Sequence, residues 1–171
     1  MEISKIYNAN AYVDGTNSLL GRASTVTLPE ITIPQDEHQA LGMFGKVELP
    51  TGLDPMQGKI KWAGFYGDAI EYGANPFQAR KIQLRANLQT FGPDGLVAEK
   101  AVVVHMTAKF KKAPLGEFAA QASVEMEQEF SCTYVKVVID GVDHLEIDVL
   151  NQVWKVKGKD ILAAYRANIG S

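Results

Sequence analysis

One segment near the C-terminus carries residues whose types and spacing could do chemistry. Residues 137–151 read VVIDGVDHLEIDVLN and include three aspartates, one glutamate and one histidine. A metal site or a carboxylate acid–base pair needs carboxylates, often with an imidazole among them. The same letters also describe an Asp-Gly turn followed by a half-buried strand. The pairing of the strands around Asp140 and Gly141 decides between these interpretations.

Two registers can close a hairpin at this turn. A two-residue loop, Asp140-Gly141, would mix apolar and charged side chains on each face. A three-residue loop that begins at Ile139 pairs Val138 with Val142 and places apolar and charged side chains on opposite faces. We prefer this register because a one-residue slip would bury the charges. The apolar face then carries Val135, Val137, Leu145, Ile147 and Val149. The charged face carries Tyr134, Lys136, His144, Glu146 and Asp148.

On the charged face, His144, Glu146 and Asp148 form a row with Cα atoms roughly 6.6 Å apart at each step. A metal ion needs ligands that converge within roughly 2.0–2.6 Å. No other strand offers an obvious third ligand, since His38 falls in a predicted loop and His105 in a strand that reads as packed. We therefore predict no catalytic residue, no metal ligand and no cofactor, and interpret the row as a solvated or interface-forming face.

Composition limits the class of protein. The chain has 171 residues, 46% of them hydrophobic, and a net charge of -3, which suits one soluble globular domain over residues 1–171. Both signs of charge are spread along the chain, so nothing predicts tight nucleic-acid binding. Cys132 is the single cysteine, which excludes an intrachain disulfide and favours a reducing compartment. The sequence shows no apolar run for membrane insertion and no signal peptide.

Turn residues predict a chain built mainly of antiparallel strands. Asp-Gly pairs recur at three places, and each supplies the positive-φ positions that hairpin turns need. The first, Asp14-Gly15, is predicted to join residues 7–13 to residues 23–28. The remaining predicted strands are residues 45–49, 59–65, 81–91, 99–111 and 122–139.

Residues 81–91 alternate, with Lys81, Gln83 and Arg85 on the polar side, which is typical of a strand with one wet face. An irregular, glycine-rich segment is expected at residues 35–45. Short helices are predicted at residues 67–73 and 159–170. The fold class is therefore β-dominated α+β: an antiparallel β-sandwich or barrel with a short mid-chain helix and a C-terminal helix.

Three blocks of sequence carry a family likeness. They are NANAYVDGTNSLLGRASTVTLPEI near the N-terminus, QALGMFGKVELPTGLDPMQGKIKW in the middle, and YVKVVIDGVDHLEIDVLNQVWKVKGKDILAAYRANIG at the end. In order and spacing, from about residue 8 to the end, they resemble the major tail tube protein of contractile-tailed (myovirus-type) bacteriophages and R-type pyocins. Departures are modest: Gly42-Met43 stands where the family has Gly-Gly-Met, and Thr25 interrupts its Ser-Val pair.

The resemblance implies a structural protein of the virion tail, not an enzyme, assembled in the host bacterial cytoplasm. Family members form hexameric rings in which strands of six subunits close a continuous barrel. The rings stack into a tube inside a contractile sheath. The implied partners are further copies of the chain, the tail sheath protein, the tape-measure protein, baseplate and tail-terminator proteins, and DNA that passes without sequence-specific binding.

Three surfaces are candidates for these contacts. The segment expected to pack on an adjacent subunit or ring contributes Gln39, Leu41, Gly42, Met43, Phe44 and Gly45. The helix around Asp68 and Glu71 is the candidate for the sheath. Two sets compete for the channel wall: the acidic row His144-Glu146-Asp148 and the basic-polar set Lys81-Gln83-Arg85. Each neutralised phosphate adds affinity for DNA, which favours an acidic or neutral wall but does not say which strand supplies it.

A second class of function stays open. The chain could be a monomeric small-ligand-binding β-barrel whose aromatic residues line a pocket. Those residues are Phe44, Trp62, Phe65, Tyr66, Tyr72 and Phe77, and we interpret them as core. A metal-dependent enzyme is the third candidate, and it predicts metal that a chelator removes with loss of stability.

Overall fold

The computed structural model describes residues 1–15, 17–122 and 124–171. Within them the elements are β1 Ile3–Val13, β2 Asn17–Ser18, β3 Ala23–Thr27, β4 Gln35–His38, β5 Val47–Pro50, β6 Met56–Trp62, α1 Gly67–Ala74, β7 Arg80–Gly92, β8 Gly95–Phe110, β9 Met126–Ile139, β10 Val142–Asp148, β11 Val153–Val156, β12 Lys159–Asp160 and α2 Ala163–Ile169. The paired strands are antiparallel, which confirms the predicted β-dominated class. No helix in the described ranges has the length and apolar character to cross a membrane.

One large sheet holds most of the strands and divides at β9. Its main order is β12-β11-β10-β9-β8-β7-β1-β2, and β3 joins it through β6. Residues 126–132 of β9 pair with β6, whereas residues 134–139 pair with β10. The change of partner strand occurs at Thr133, which has no paired residue on β8. The Thr133 carbonyl accepts the Val149 N–H at 3.0 Å. This bulge lets two branches of one sheet close around a common core.

The core lies on one face of this sheet, and among the described residues its buried polar side chain is that of Gln128. In β6, buried and exposed side chains alternate strictly, as expected for a strand with one face toward the core. Gln128 is fully buried, and its carbonyl oxygen accepts the Trp62 indole N–H at 2.9 Å. Its amide donates to the carbonyls of Ala69 in α1 and Lys112 after β8. Gln128 thereby joins α1 and the β8–β9 connection to the sheet.

The first predicted hairpin has the wrong partner strand. The chain does turn at Asp14-Gly15, with φ of 51° and 81°, but it returns only as β2. Strand β3 pairs with β6 instead. Leu19 is buried, its N–H donates to the Ala11 carbonyl of β1 at 2.7 Å, and its carbonyl accepts the Ala23 N–H of β3 at 3.1 Å. These contacts turn the chain away from β1 toward the other branch of the sheet.

The predicted irregular segment at residues 35–45 is wrong in its first part. Strands β4 and β5 pair as a separate two-stranded hairpin, and their side chains are exposed along both strands. Because neither face is buried, the sequence of β4 has no apolar alternation by which a strand is recognised. Residues 39–46 form the tip of this hairpin.

Several other predicted boundaries differ from the structure. Strand β6 begins at Met56 and β9 at Met126, where we predicted residues 59 and 122. The C-terminal helix is shorter than predicted, because Lys159–Asp160 pair with β11 and only Ala163–Ile169 are helical. Gly170 ends this helix with a φ of 77°, as expected for a C-cap.

The acidic hairpin does not have the predicted three-residue loop. Val142 pairs with Ile139 around Asp140-Gly141, whose φ angles are 53° and 76°. A bulge at His144 then shifts the register by one residue. Beyond this bulge, apolar side chains point to the core and acidic ones to the opposite face. We attributed the separation of apolar and charged side chains onto opposite faces to the turn, but the bulge at His144 produces it.

Candidate functional site

The two candidate sets for a channel wall lie on the same face of the same sheet. Directly paired residues on neighbouring strands share a face, and one row of such pairs crosses seven strands. It contains Tyr12, Gln83, His105, Lys136, Glu146, Lys155 and Asp160. The next row contains Lys81, Thr107, Tyr134 and Asp148. We call these two rows, together with Arg85, the polar face.

The acids of the polar face are engaged within the chain. Glu146 accepts a hydrogen bond from the Tyr134 hydroxyl at 3.1 Å, and its carboxylate lies 3.5 Å from the Lys155 ammonium. Asp148 accepts the backbone N–H of Asn151 at 3.0 Å and its side-chain amide at 2.7 Å. These carboxylates orient neighbouring strands and turns. Of the predicted row His144-Glu146-Asp148, Glu146 and Asp148 lie on this face, and His144 sits in the bulge.

Two protonated groups border the acids and stay protonated at neutral pH. Burial, followed by the hydrogen bond to Glu146, raises the pKa of Tyr134 to about 12. Lys136 lies 2.8 Å from Asp143, and this contact raises the pKa of the Lys136 ammonium. The Tyr134 phenol therefore acts as a hydrogen-bond donor and not as a nucleophile.

The β7 part of the polar face is basic. Among the described residues, no carboxylate lies within ion-pair distance of Lys81 or Arg85. The Arg85 guanidinium lies 5.7 Å from the centroid of the Tyr12 ring. Lys81 borders an open depression of about 850 Å³ that Tyr134 and Asp148 also line. The polar face as a whole therefore carries charges of both signs. On β10 the acidic side chains are bonded to other groups of the chain, whereas β7 contributes unpaired basic side chains.

The described part of the polar face has no cluster of metal-ligating side chains. Across the part of the chain that the structure describes, no three His, Cys, Asp or Glu side chains are grouped as metal ligands. Cys132 is buried on the core side, and burial raises the pKa of its thiol to about 12. A thiol in this state is a packed side chain and not a nucleophile.

All six residues predicted for subunit contact lie at the tip of the β4–β5 hairpin. Leu41 and Phe44 are fully exposed there. Gly42 has a φ of 86°, and the Met43 N–H closes the tip onto the Ala40 carbonyl at 3.2 Å. Two large apolar side chains on a projecting tip, with no buried neighbour in either strand, are typical of a protein contact site.

The two predicted sheath residues have different environments on α1. Asp68 forms an ion pair with Arg22 at 2.8 Å, and the Arg22 guanidinium lies 5.6 Å from the Tyr66 ring centroid. Glu71 is exposed, and no described cation pairs with it. Only Glu71 therefore offers an uncompensated charge to a partner.

An exposed aromatic pair beside α1 was not predicted. The rings of Phe65 and Phe118 lie 5.6 Å apart, and both side chains are largely exposed. We had assigned Phe65 to the core, together with Phe44 and Phe77, and all three assignments are wrong. A sequence signal was available, since each of the three stands next to a glycine or a proline. Trp62 and Tyr72 are buried as predicted, whereas Tyr66 is half-buried and packs against the core.

Known proteins resemble the chain over nearly its whole length. Residues 3–170 match the family model described as "Phage tail tube protein FII". The chain is 31% identical over 170 residues to the "Tail tube protein" of Escherichia phage P2, covering 97% of this chain and 96% of that protein. It is 29% identical over 152 residues to the "Major tail tube protein" of Serratia phage KSP20, covering 88% and 85%.

Solved structures share the fold at low sequence identity. A chain of an extracellular contractile injection system, the PVC sheath-tube complex in the extended state, superposes with a TM-score of 0.56 and 13% identity. The match covers 79% of this chain and 89% of that chain. A chain of the corresponding sheath/tube terminator structure gives a TM-score of 0.54 at 14% identity, covering 79% and 94%.

Proposed function

The chain belongs to the phage tail tube protein family, and from this premise we propose that it forms the inner tube of a contractile tail by stacking hexameric rings. Proteins of this family are structural components of the virion tail, and the chain is not an enzyme. The tube gives a channel for DNA and for the tape-measure protein. Assembly takes place in the host cytoplasm, and the free thiol of Cys132 suits that reducing compartment.

The main support for this proposal is the sheet with one polar face and one face packed on the core. A tube wall needs one surface toward a water-filled bore and another packed against protein. The polar face meets the first need across seven strands, and the core face meets the second. On β10 the acids are paired within the chain and repel phosphate weakly, so attraction for phosphate comes mainly from Lys81 and Arg85 on β7. Such a surface suits a polymer that must slide, because each tight phosphate contact would add affinity.

The hairpin tip is the proposed contact with a neighbouring subunit or ring. Leu41 and Phe44 gain by burial there, since covering one large apolar side chain stabilises by roughly 1.5–3 kcal/mol. The glycines at positions 42 and 45 let the tip adapt to the surface that it meets. Tail-terminator and baseplate proteins would cap the stack, because head-to-tail contacts otherwise propagate without limit.

The region around α1 is the proposed sheath-facing surface. It combines the free carboxylate of Glu71 with the exposed ring pair of Phe65 and Phe118. A partner segment with basic and apolar side chains would match this surface. Asp68 contributes indirectly, since its ion pair with Arg22 holds the first turn of the helix.

Negative-stain electron microscopy of the purified protein tests the proposal. Rings or tubes with a central hole are expected, and their abundance should rise with protein concentration. Monomers that persist at high concentration would contradict it. A ligand-dependent rise in melting temperature of such monomers would favour the small-ligand-binding barrel instead.

Cysteine labelling of assembled tubes tests the position of the polar face. Gln83→Cys places a thiol on this face, and Glu71→Cys places one beside α1. In tubes, a small maleimide should label both positions, whereas a bulky polymer-linked maleimide should label only position 71. The buried Cys132 should stay unlabelled in the unsubstituted protein. Equal labelling of position 83 by the bulky reagent in tubes and in free subunits would place the polar face outside the bore.

A further inference from the structure

The polar face contains an open depression of about 850 Å³. The turn at Asp14-Gly15, after β1, borders it on one side, and the turn at Leu150-Asn151, after β10, borders it on the other. Two rows of directly paired residues from β7, β8 and β9 form its floor, namely Gln83, His105 and Lys136, and Lys81, Thr107 and Tyr134. The depression therefore brings polar side chains of neighbouring strands together between two turns.

Four polar side chains at the β7–β8 end of this depression have no partner among the described residues. Lys81 pairs with Thr107, and Gln83 pairs with His105, across the same two strands. Within the described part of the chain, no hydrogen bond or ion pair engages any of these four side chains. Three of them are half-buried, and only Lys81 is exposed. Polar groups withdrawn from water normally have a hydrogen-bond partner, so this cluster has free bonding capacity for a ligand.

The free capacity consists of hydrogen-bond donors at close spacing. The Lys81 ammonium, the Gln83 amide and the His105 imidazole each carry N–H groups, and the Thr107 hydroxyl adds an O–H donor. Opposite residues on antiparallel strands have Cβ atoms roughly 4.5–5.5 Å apart, and the next pair on the same face follows after roughly 6.6 Å. Donors at the corners of such a rectangle surround a space that suits one small oxyanion.

The β7–β8 end of the depression favours negative charge. Asp14 lines this end, but its carboxylate lies 2.9 Å from the Arg80 guanidinium and also accepts the Lys81 N–H at 3.1 Å. Asp148 lies three strands from Lys81, roughly 14 Å away at the usual strand spacing. This distance exceeds the Debye length of about 8 Å at physiological ionic strength. Among the described groups at this end, the Lys81 ammonium therefore stays uncompensated.

We propose that Lys81, Gln83, His105 and Thr107 bind a phosphate group at the β7–β8 end of the depression. A phosphate group spreads several acceptor oxygens in three dimensions, which suits donors on all sides, whereas a carboxylate has two oxygens in one plane. Lysine binds phosphate as a point charge, and the neutral donors orient the oxygens. Because the depression is open, the phosphate is either free or part of a nucleic-acid backbone.

The site belongs to a single subunit, so it goes beyond the proposed tube function and does not require it. If the polar face lines the bore, the phosphate that it meets is that of the passing DNA. One charged contact per subunit is weak and depends on salt, and such contacts allow a protein and DNA to slide past each other.

Fluorescence anisotropy with a short fluorescein-labelled oligothymidylate tests the site on unassembled protein. Lys81→Gln should weaken binding about three- to tenfold, because it removes the charged donor. The plot of log affinity against log salt concentration should become shallower by about 0.7, the contribution of one phosphate contact on a single strand. Thr107→Val should weaken binding about two- to threefold with an unchanged salt slope, since it removes a neutral donor of similar size.

Lys159→Gln is the matched control for the loss of charge. Lys159 is exposed on β12, at the far edge of the sheet from β7, and it does not line the depression. This variant has the same net charge as Lys81→Gln, so general electrostatic attraction would make both variants equally weak. We expect the Lys159→Gln protein to bind as the original does. Circular dichroism checks that every variant is folded.

Inorganic phosphate is the second probe and distinguishes the two sources of the phosphate group. In NMR spectra of the labelled protein, it should shift the backbone amide signals of the four residues more than chloride does at equal ionic strength. Lys81→Gln should reduce these shifts, and Lys159→Gln should not. If both probes bind in this way, the site accepts a nucleic-acid backbone; if only inorganic phosphate does, the ligand is a free phosphate. Both outcomes support the site.

The proposal is overturned if neither probe distinguishes Lys81→Gln from Lys159→Gln. Oligonucleotide binding that both variants retain in full would place nucleic acid elsewhere on the subunit, and it also counts against the site. Because binding is measured on unassembled protein and tube formation by microscopy, a failure of this site leaves the proposed tube function standing. Absence of rings or tubes would in turn leave the phosphate site to be decided by these titrations.

Discussion

The hydroxyl of Tyr134 donates a 3.1 Å hydrogen bond to the carboxylate of Glu146 on the neighbouring strand β10. Replacement of Tyr134 by Phe removes this donor and leaves a carboxylate acceptor half-buried. We expect Tyr134→Phe to lower the free energy of unfolding by about 1–2 kcal/mol, measured by urea denaturation. Tyr7→Phe is the matched control, since Tyr7 is largely exposed, and it should change the value by less than about 0.5 kcal/mol.

The same variant predicts a change at high pH. The pKa of Tyr134 is raised to about 12, so this phenol should be among the last to ionise in an ultraviolet titration of the folded protein. Tyr134→Phe should remove that late step and leave the earlier ones. An unchanged high-pH end of the titration would contradict the raised pKa of Tyr134.

Gln128 should be among the most sensitive polar positions in the chain. Gln128→Leu leaves the Trp62 indole and the carbonyls of Ala69 and Lys112 without their partner in a buried site. We expect a loss of about 2–4 kcal/mol in the free energy of unfolding. Hydrogen exchange should increase most in α1 and after β8. Gln57→Leu, on the exposed side of β6, is the control and should be nearly neutral.

Two glycines of α1 should respond oppositely to alanine. A Cβ at Gly73 would lie 2.0 Å from the Lys112 carbonyl oxygen and 2.7 Å from the Ala113 Cα, and these backbone atoms cannot move aside cheaply. Gly73→Ala should therefore cost about 1–3 kcal/mol. A Cβ at Gly67 meets nothing within 4 Å, so Gly67→Ala should be neutral or stabilise by up to about 1 kcal/mol. Equal melting temperatures for the two variants would contradict the close contact at Gly73.

The C-terminal segment should lose stability in acid through Asp160. The Arg166 guanidinium, followed by the Leu162 N–H at 3.0 Å, lowers the pKa of the Asp160 carboxyl below its usual 3.8. A depressed folded-state pKa stabilises the protein fully above the unfolded value, and this stability is lost as pH falls through the folded value. Asp160→Asn should therefore lower the melting temperature above about pH 5, with a difference that shrinks toward about pH 2. Asp54→Asn, which removes a carboxylate at an exposed position, is the matched control.

The hairpin tip should affect assembly and not folding. Leu41→Ser with Phe44→Ser removes two fully exposed side chains, so the melting temperature of the free subunit should stay unchanged. Ring stacking should weaken strongly, measured as tube length in electron microscopy. Val47→Ser is the control, since it changes an apolar residue of the same hairpin outside the tip. Full-length tubes from the double variant would show that the tip lies outside the contacts between subunits.

The sequence predicts those strands whose one face is buried. The alternation of residues 81–91 reappears in β7, with Ile82 and Leu84 in the core and Lys81, Gln83 and Arg85 on the other face. Strand β4 escapes prediction because both of its faces are exposed, so it is held by backbone pairing with β5 and by the exposed ion pair of Glu37 with Lys46. We predicted too long a C-terminal helix, because Ile161 has a helical spacing to Tyr165 although it follows the short strand β12.

The candidate site was only partly predictable for a similar reason. Alternation indicates that two residues lie on opposite faces of one strand, but it does not indicate which strands are neighbours. Lys81 and Asp148 therefore seemed to belong to competing surfaces, although β8 and β9 connect them in one row. The tail tube family was correctly identified from the three sequence blocks, and the family match over residues 3–170 confirms it.

The exchange of partners along β9 has a consequence for the order of synthesis. Strand β6 receives its second neighbouring strand only from residues 126–132. The Trp62 indole N–H finds its hydrogen-bond acceptor only in Gln128, 66 residues later in the chain. During translation the first half of the protein therefore has no complete core, and the second edge of β6 stays unpaired until β9 has left the ribosome. Pairings between such distant segments fold slowly. A subunit of this design reaches its assembling form only when nearly the entire chain has been made.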